Sequence, residues 1–292
     1  MARSIIRLVL YFVAITACSP SGRSHDAVFN STTKSPVEDV DTISATDYYS
    51  STYGLIGATL KQALHEKIKV ALRLPYARII YDLQYTDADP NQPANLIMIY
   101  SGRSLPAENT STDPEDSWNR EHVWAKSHGF PRTNMPAHTD LHHVRPCEIA
   151  LNRQRGDFMF TELTDGEHVT KLTSALRDAY QGVFSPPPEV RGDIARMLLY
   201  MDVRYEGDDP REPDLRLVEK LPQDVERGVD SKGAGYHNHL STLLKWHKDD
   251  PVDAFERRRN ERVFDRQKNR NPFIDHPEFA DLIYRPDALP QN

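Results

Sequence analysis

What constrains the fold most is that strand-like and helix-like segments do not alternate. Helical spacing dominates the chain. Leu60, Ala63, Leu64, Ile68, Ala71 and Leu72 recur with a period of 3.6, which predicts a helix over 60–72. Gly192–Tyr205 is helical by the same test, with Ile194, Met197, Leu198 and Met201 on one side. Leu240–Lys248 and Val252–Lys268 are two more helices, split by Asp250-Pro251. Pro146–Arg155 also reads as a helix, with Pro in its first turn and Gly156 just past its end. Strand signals are few: Asn95–Tyr100, stopped by Ser101-Gly102, and His122-Val123-Trp124. Many helices and few strands without βαβ order predict an α+β, helix-rich class, and no composition break calls for two domains. No internal repeat is present, and no apolar run approaches the roughly 20 residues of a spanning helix.

The first residues read as an address. Arg3 and Arg7 precede the short apolar run Leu8–Ile15, as in an export signal. The run ends at Ile15-Thr16-Ala17-Cys18, which resembles the lipobox of bacterial lipoproteins, and that resemblance implies lipidation of Cys18. Residues 1–17 are then a signal peptide, 18–54 a lipidated, disordered tether, and 55–292 the folded domain. Thirteen of the 36 residues from Ser19 to Gly54 are Ser or Thr, so little apolar surface is available there to offset the entropy of ordering. Tyr48, Tyr49 and Tyr53 mark where this segment begins to dock. The other cysteine is Cys147, so acylation of Cys18 would rule out an intramolecular disulfide. The expected location is the cell envelope, lipid-anchored, or the secreted fraction, with the membrane touched through the N-terminal lipid only.

One stretch differs from the rest. The chain carries a net charge of −7, which argues against a protein that coats polyanions. Yet Trp118–Gly156 holds six Arg or Lys against three acids, and five of the twelve histidines: His122, His128, His138, His142 and His143. A local basic, His-rich segment in an acidic chain points to a local anionic substrate. Three chemistries compete. Zinc could use His138 and His142, but there is no HExxH and Cys147 is the sole nearby thiol. A Ser nucleophile lacks its G-x-S-x-G turn. A histidine general base beside a carboxylate-held hard cation has suitable parts in Glu121, His122 and Asn152, whose oxygen donors favour Mg²⁺ over zinc.

The ordered blocks Trp118-Asn119-Arg120-Glu121-His122-Val123-Trp124, Asp140–Pro146 and Leu151–Asp157 resemble the bacterial endonuclease I family, of the His-Me finger (ββα-metal) superfamily. Tyr100–Arg103, Arg191–Arg196, Leu244–His247, Glu256–Asn260 and Asn269–Phe279 extend the resemblance in discontinuous blocks over roughly residues 80–280. It implies a ββα-metal core and a sequence-nonspecific endonuclease acting on DNA, with RNA left open as a second substrate. His122 would be the general base that activates water, and Glu121 and Asn152 would hold a single Mg²⁺, with Mn²⁺ or Ca²⁺ as substitutes. Products would carry 5′-phosphate and 3′-hydroxyl ends. Arg145 and Arg155 are assigned with His122 to the catalytic group, Arg155 sharing a helix face with Asn152 from which it could reach a phosphate, and Arg120, Arg132 and His143 are assigned to substrate binding. The rival reading is a surface-anchored, nucleic-acid-binding lipoprotein without turnover.

Several residues keep two readings each. In a regular strand Glu121 and His122 point to opposite faces, so they can share a site only if the strand ends or bulges at the pair. Glu148 is either a partner of the site or a helix-supporting acid. His142 and His143 either orient the base, bind phosphate or are buried and hydrogen-bonded. Arg132 and Arg145 are phosphate ligands or salt-bridge partners, and Trp118 and Trp124 are core residues in preference to stacking platforms. The cationic run Arg257–Arg259 with Arg262, Arg266, Lys268 and Arg270 is a salt-bridged solvated face or a track for a nucleic-acid backbone. Cys147 reads as a buried thiol, open to oxidation if exposed.

Overall fold

The computed structural model describes residues 48–110, 116–166, 168–172, 174–285 and 287. Its helices are α1 (Gly57–Ile68), α2 (Ile79–Thr86), α3 (Ile149–Arg155), α4 (Arg191–Arg204), α5 (Leu240–Asp249), α6 (Ala254–Gln267), α7 (Pro272–Asp275) and α8 (Phe279–Tyr284). The strands are short: β1 (Asn95–Ile97), β2 (Ser104–Pro106), β3 (Trp118–His122), β4 (Val144–Glu148), β5 (Met159–Phe160), β6 (Val169–Lys171), β7 (Leu176–Asp178), β8 (Val183–Ser185), β9 (Leu215–Leu217) and β10 (Gly235–His237). Three two-stranded ribbons (β1–β2, β3–β4, β9–β10) and one four-stranded sheet ordered β5-β8-β7-β6 make the α+β architecture. No helix among the described residues is long and apolar enough to cross a membrane.

Helix α4 is the central strut, and its burial exceeds what its apolar stripe predicts. Gly192 through Arg204 are buried all round, charged residues included. Each charge is matched: Arg196 donates to both Glu256 oxygens at 2.7 and 2.6 Å, Arg204 pairs with Glu212 at 2.6 Å, and Asp202 takes Lys61 at 2.8 Å. Around α4 gathers one core cluster, which includes Tyr100, Trp124, Leu198, Leu244 and Phe273. A second cluster under α2 and β1 holds Leu83, Leu96, Met98, Trp118, Val144 and Val263. The cationic run turns inward as well: Arg259 is buried on Asp87 at 2.9 Å, and Arg258 and Arg262 donate to the carbonyls of Ala88 and Tyr85. Helix α6 starts at a reciprocal cap, Asp253 accepting from the Glu256 amide at 2.8 Å. Arg259 is thus a structural tie, while Arg257 and Lys268 of the same run stay exposed.

The ribbon β3–β4 joins the two clusters. Val144 packs in the second and Cys147 in the first, as alternation on one strand requires, and all five β4 residues are buried. Pro146 corrects the expected helix: it lies in β4 opposite Arg120, and α3 starts only at Ile149. Proline suits a helix's first turn, but it also suits a strand position whose missing N–H is not needed, and here its carbonyl still accepts from Ile99. Gly156 ends α3 at φ +58°, as its position after the helix predicts. Asn95–Tyr100 is strand only to Ile97. At the N-terminal side Tyr48 and Tyr49 are buried in the first cluster, and Tyr49 donates to Asp275 at 2.9 Å. The packed body thus takes in residues 48–54, which composition alone groups with the tether. The signal peptide, Cys18 and the rest of the expected tether lie outside the described residues.

Candidate active site

Strand β3, its antiparallel partner β4 and helix α3 form a ββα unit, and its open side is a cleft of about 490 Å³. Glu121, His122 and Asn152 all line that cleft. The Glu121–His122 difficulty resolves through the first of its two routes. The register stays regular to His122↔Val144, and β3 ends there, the chain bending at Val123-Trp124. His122-Val123-Trp124 is therefore a strand terminus and not a strand.

Each of the three is fixed by neighbours. His122 Nε2 lies 3.0 Å from the His138 carbonyl, which can only accept, so the proton sits on Nε2 and Nδ1 keeps its lone pair. Burial pushes the His122 pKa well below the usual 6.5, helped by His143, His138 and Lys126, so the ring is neutral. Glu121 is buried too. Burial raises its carboxyl pKa, against the opposing Arg155 charge and the Tyr100 hydroxyl. Tyr100 donates to Oε1 at 2.7 Å and Arg155 approaches the same oxygen at 3.2 Å, leaving Oε2 engaged by neither. Asn152 Nδ2 donates to Asn119 Oδ1 at 2.6 Å and to the Arg120 carbonyl at 3.3 Å. The carbonyl acceptor settles which way this amide faces and leaves Oδ1 as the atom that could hold a cation. Two hard oxygen donors beside a neutral imidazole suit Mg²⁺.

The arginines divide. Arg155 lines the cleft but is buried: it donates to the carbonyls of His122 at 3.0 Å and Val123 at 2.6 Å and pairs with Glu121, and these bonds brace the end of β3. Arg145 is withdrawn from the cleft. It pairs with Asp87 at 2.6 Å and lies 3.6 Å from Asp193, because Asp87, fully buried between Arg145 and Arg259, needs both cations. Arg120 lines the cleft, whereas Arg132 is exposed on neighbouring cavities. His143 is fully buried behind His122, its Nε2 donating to the Ala137 carbonyl at 2.7 Å and its pKa lowered to about 4 by burial. His142 is likewise inward, bonded to the Asn269 carbonyl. Glu148 holds Ser101 outside the metal donors, Trp118 and Trp124 are core, and burial raises the Cys147 thiol pKa well above its usual value.

Tyr76, Asn119 and Lys126 also line the cleft and escaped the sequence reading. Asn119 was within reach, since it sits one alternation from Glu121 on β3. Tyr76 comes from a distant turn and carries no local signal.

These blocks are not a chance gathering: the sequence pattern of the endonuclease I family matches residues 56–278. The chain belongs to the endonuclease I family. Within it, this endonuclease I chain is 41% identical over 270 residues to an extracellular ribonuclease of Bacillus subtilis (strain 168), covering 92% of this chain and 86% of the relative. An extracellular ribonuclease of Bacillus amyloliquefaciens is 44% identical over 238 residues, 81% of this chain and 78% of its own length. An extracellular deoxyribonuclease of Aeromonas hydrophila is 27% identical over 138 residues, about half of each chain. The endonuclease I chain has a second place where donors converge: His65, Glu66 and Asp208 bring ligand atoms within 4.8 Å of one another. Lys69 already bridges that pair of carboxylates, at 2.8 and 3.1 Å, and none of the four lines the Glu121–His122 cleft.

Proposed function

We propose that this protein is an exported, Mg²⁺-dependent endonuclease that hydrolyses phosphodiester bonds of RNA and DNA without reading sequence. The observation that carries the reading is the pairing of a tautomer-fixed, neutral His122 with the oxygen donors of Glu121 and Asn152 in one cleft. His122 Nδ1 takes the proton of the attacking water, and the His138 carbonyl keeps Nε2 protonated so that the basic atom faces the reaction. Glu121 and Asn152 hold the cation, and Arg155 and Tyr100 fix the carboxylate that does so. A bound divalent cation supplies positive charge for the phosphate and for the departing 3′ oxygen. Arg120 is the cleft's phosphate ligand, and Arg132 meets the substrate beyond it. RNA stands beside DNA because the relatives matched over most of their length are called ribonucleases.

The test uses RNA and supercoiled plasmid. Both should be cut with Mg²⁺, resist cutting in EDTA, and yield 5′-phosphate ends. Persistent cleavage in EDTA, or 2′,3′-cyclic phosphate ends on RNA, would remove the water–metal mechanism. Binding of both polymers without any cutting would favour a binding lipoprotein.

We further propose residues 1–17 as signal and a lipid on Cys18, with the tether running from there to the packed nuclease domain, which takes in residues from 48 on. Full-length protein in a bacterial host should incorporate labelled fatty acid and sediment with membranes, and Cys18→Ser should release it from them. A mature chain that begins beyond Cys18 and carries no label would end the anchor proposal while leaving export intact.

A further inference from the structure

Besides the histidine base, the cleft has a single aromatic lining residue, Tyr76. It enters from the turn before α2, and it is not isolated. The Arg120 guanidinium lies over the Tyr76 ring with 4.0 Å between its carbon and the ring centroid. The same guanidinium donates through Nη1 to the Tyr76 carbonyl at 3.1 Å. The Tyr76 ring also lies near His122, centroids 6.5 Å apart and planes 27° from parallel, and meets His138 edge-on at 4.9 Å. Arg120, Tyr76 and His122 are thus neighbours on the wall of the cleft.

A guanidinium tied at its ring face and at one N–H has little freedom left. It presents a flat cation to whatever enters, with its remaining N–H groups along the edge. Nucleobases stack on planes of this kind, and a phosphate accepts from the edge. We propose that Arg120, backed by Tyr76, is the platform on which the nucleobase next to the scissile phosphate stacks, with Tyr76 as the positioning residue that holds the guanidinium plane. The platform then places the nucleoside beside His122, the base that takes the proton of the attacking water. A π-face carries no hydrogen-bond code, so the platform accepts every base, in keeping with a nuclease that reads no sequence. The inference rests on the nuclease reading above.

The test compares the full enzyme on an oligonucleotide and on the same oligonucleotide made abasic on both sides of one phosphodiester. Wild type should show a lower KM for the base-bearing substrate. Tyr76→Ala should raise that KM by about 5- to 100-fold, the range for one base stack, and collapse the ratio between the two substrates. Tyr76→Phe, which keeps the ring, should restore the ratio. Arg120→Lys, at a half-exposed position, should collapse it too, since a lysine keeps the charge and loses the plane. If Tyr76→Ala lowers kcat on both substrates alike and leaves the ratio at the wild-type value, the ring merely packs against His122 and the platform is refuted. Failure of wild type to cut either substrate would instead refute the nuclease reading.

Discussion

His122→Ala should lower the rate of phosphodiester cleavage by about 10²–10⁴-fold at saturating Mg²⁺, with Mg²⁺ binding retained. The size follows from the single role assigned to the ring. Nε2 is committed to the His138 carbonyl, so Nδ1 is the one atom that accepts a proton, and alanine removes it without touching Glu121 or Asn152. Asn152 keeps its own bonds to Asn119 and to the Arg120 carbonyl, so the oxygen donors stay in place. Isothermal titration with Mg²⁺ alongside single-turnover cleavage separates the two effects. A variant that loses cation binding together with activity would mean that His122 shapes the metal donors instead of supplying the base.

The same ring predicts an acid limb. Its pKa lies well below the ordinary imidazole value, chiefly through burial, and the neutral form is the active one. Protonation therefore sets in only at a pH below 6.5, and the wild-type rate should hold through the range where an exposed histidine would already have titrated. His142 and His143, both brought down to about 4, stay neutral over the same range and add no positive charge next to the base.

The proposed site was legible in the sequence because its residues are close along the chain. Glu121 and His122 are adjacent and Asn152 lies on the helix that follows, so one short segment carries the three residues that meet in the cleft. Helices with a clear 3.6 period were legible for the same reason. What the sequence conceals is pairing at a distance. Nothing near Pro146 says that Arg120 will lie across from it, so a proline that begins a helix and a proline inside a strand look alike. Charge conceals burial in the same way. Arg145, Arg155 and Arg259 read as candidates for phosphate or solvent, yet all three are buried against Asp87, Glu121 or backbone carbonyls supplied from elsewhere in the fold. An arginine's partner is set by tertiary structure, and composition counts only its charge.

Arg155 is where that blindness matters most, because its removal should damage the fold and the site together. Its guanidinium joins Glu121 to the His122 and Val123 carbonyls, all buried, at the point where β3 ends. Arg155→Ala leaves a buried carboxylate without its cation and two carbonyls without a donor. Breaking one side of a buried pair costs about 3–5 kcal/mol, a large part of the 5–15 kcal/mol that holds a typical domain together. For a body of this size that corresponds to a fall in Tm of about 6–20 °C, measurable by thermal melting. The functional effect has a sign of its own. Burial already raises the Glu121 pKa, and Arg155 is the main charge opposing it. Without Arg155 the carboxyl rises further, so protons compete with Mg²⁺ for it more strongly than in wild type. The variant should need more Mg²⁺ for half-maximal rate than wild type at pH 7, and the gap should narrow as pH rises and the carboxyl ionises. Arg155→Lys keeps the charge but cannot span both carbonyls, so it should recover the Mg²⁺ dependence better than the stability. Should Arg155→Ala melt like wild type and keep its Mg²⁺ response, the guanidinium would have to be free for substrate, and the phosphate role first read from the sequence would return.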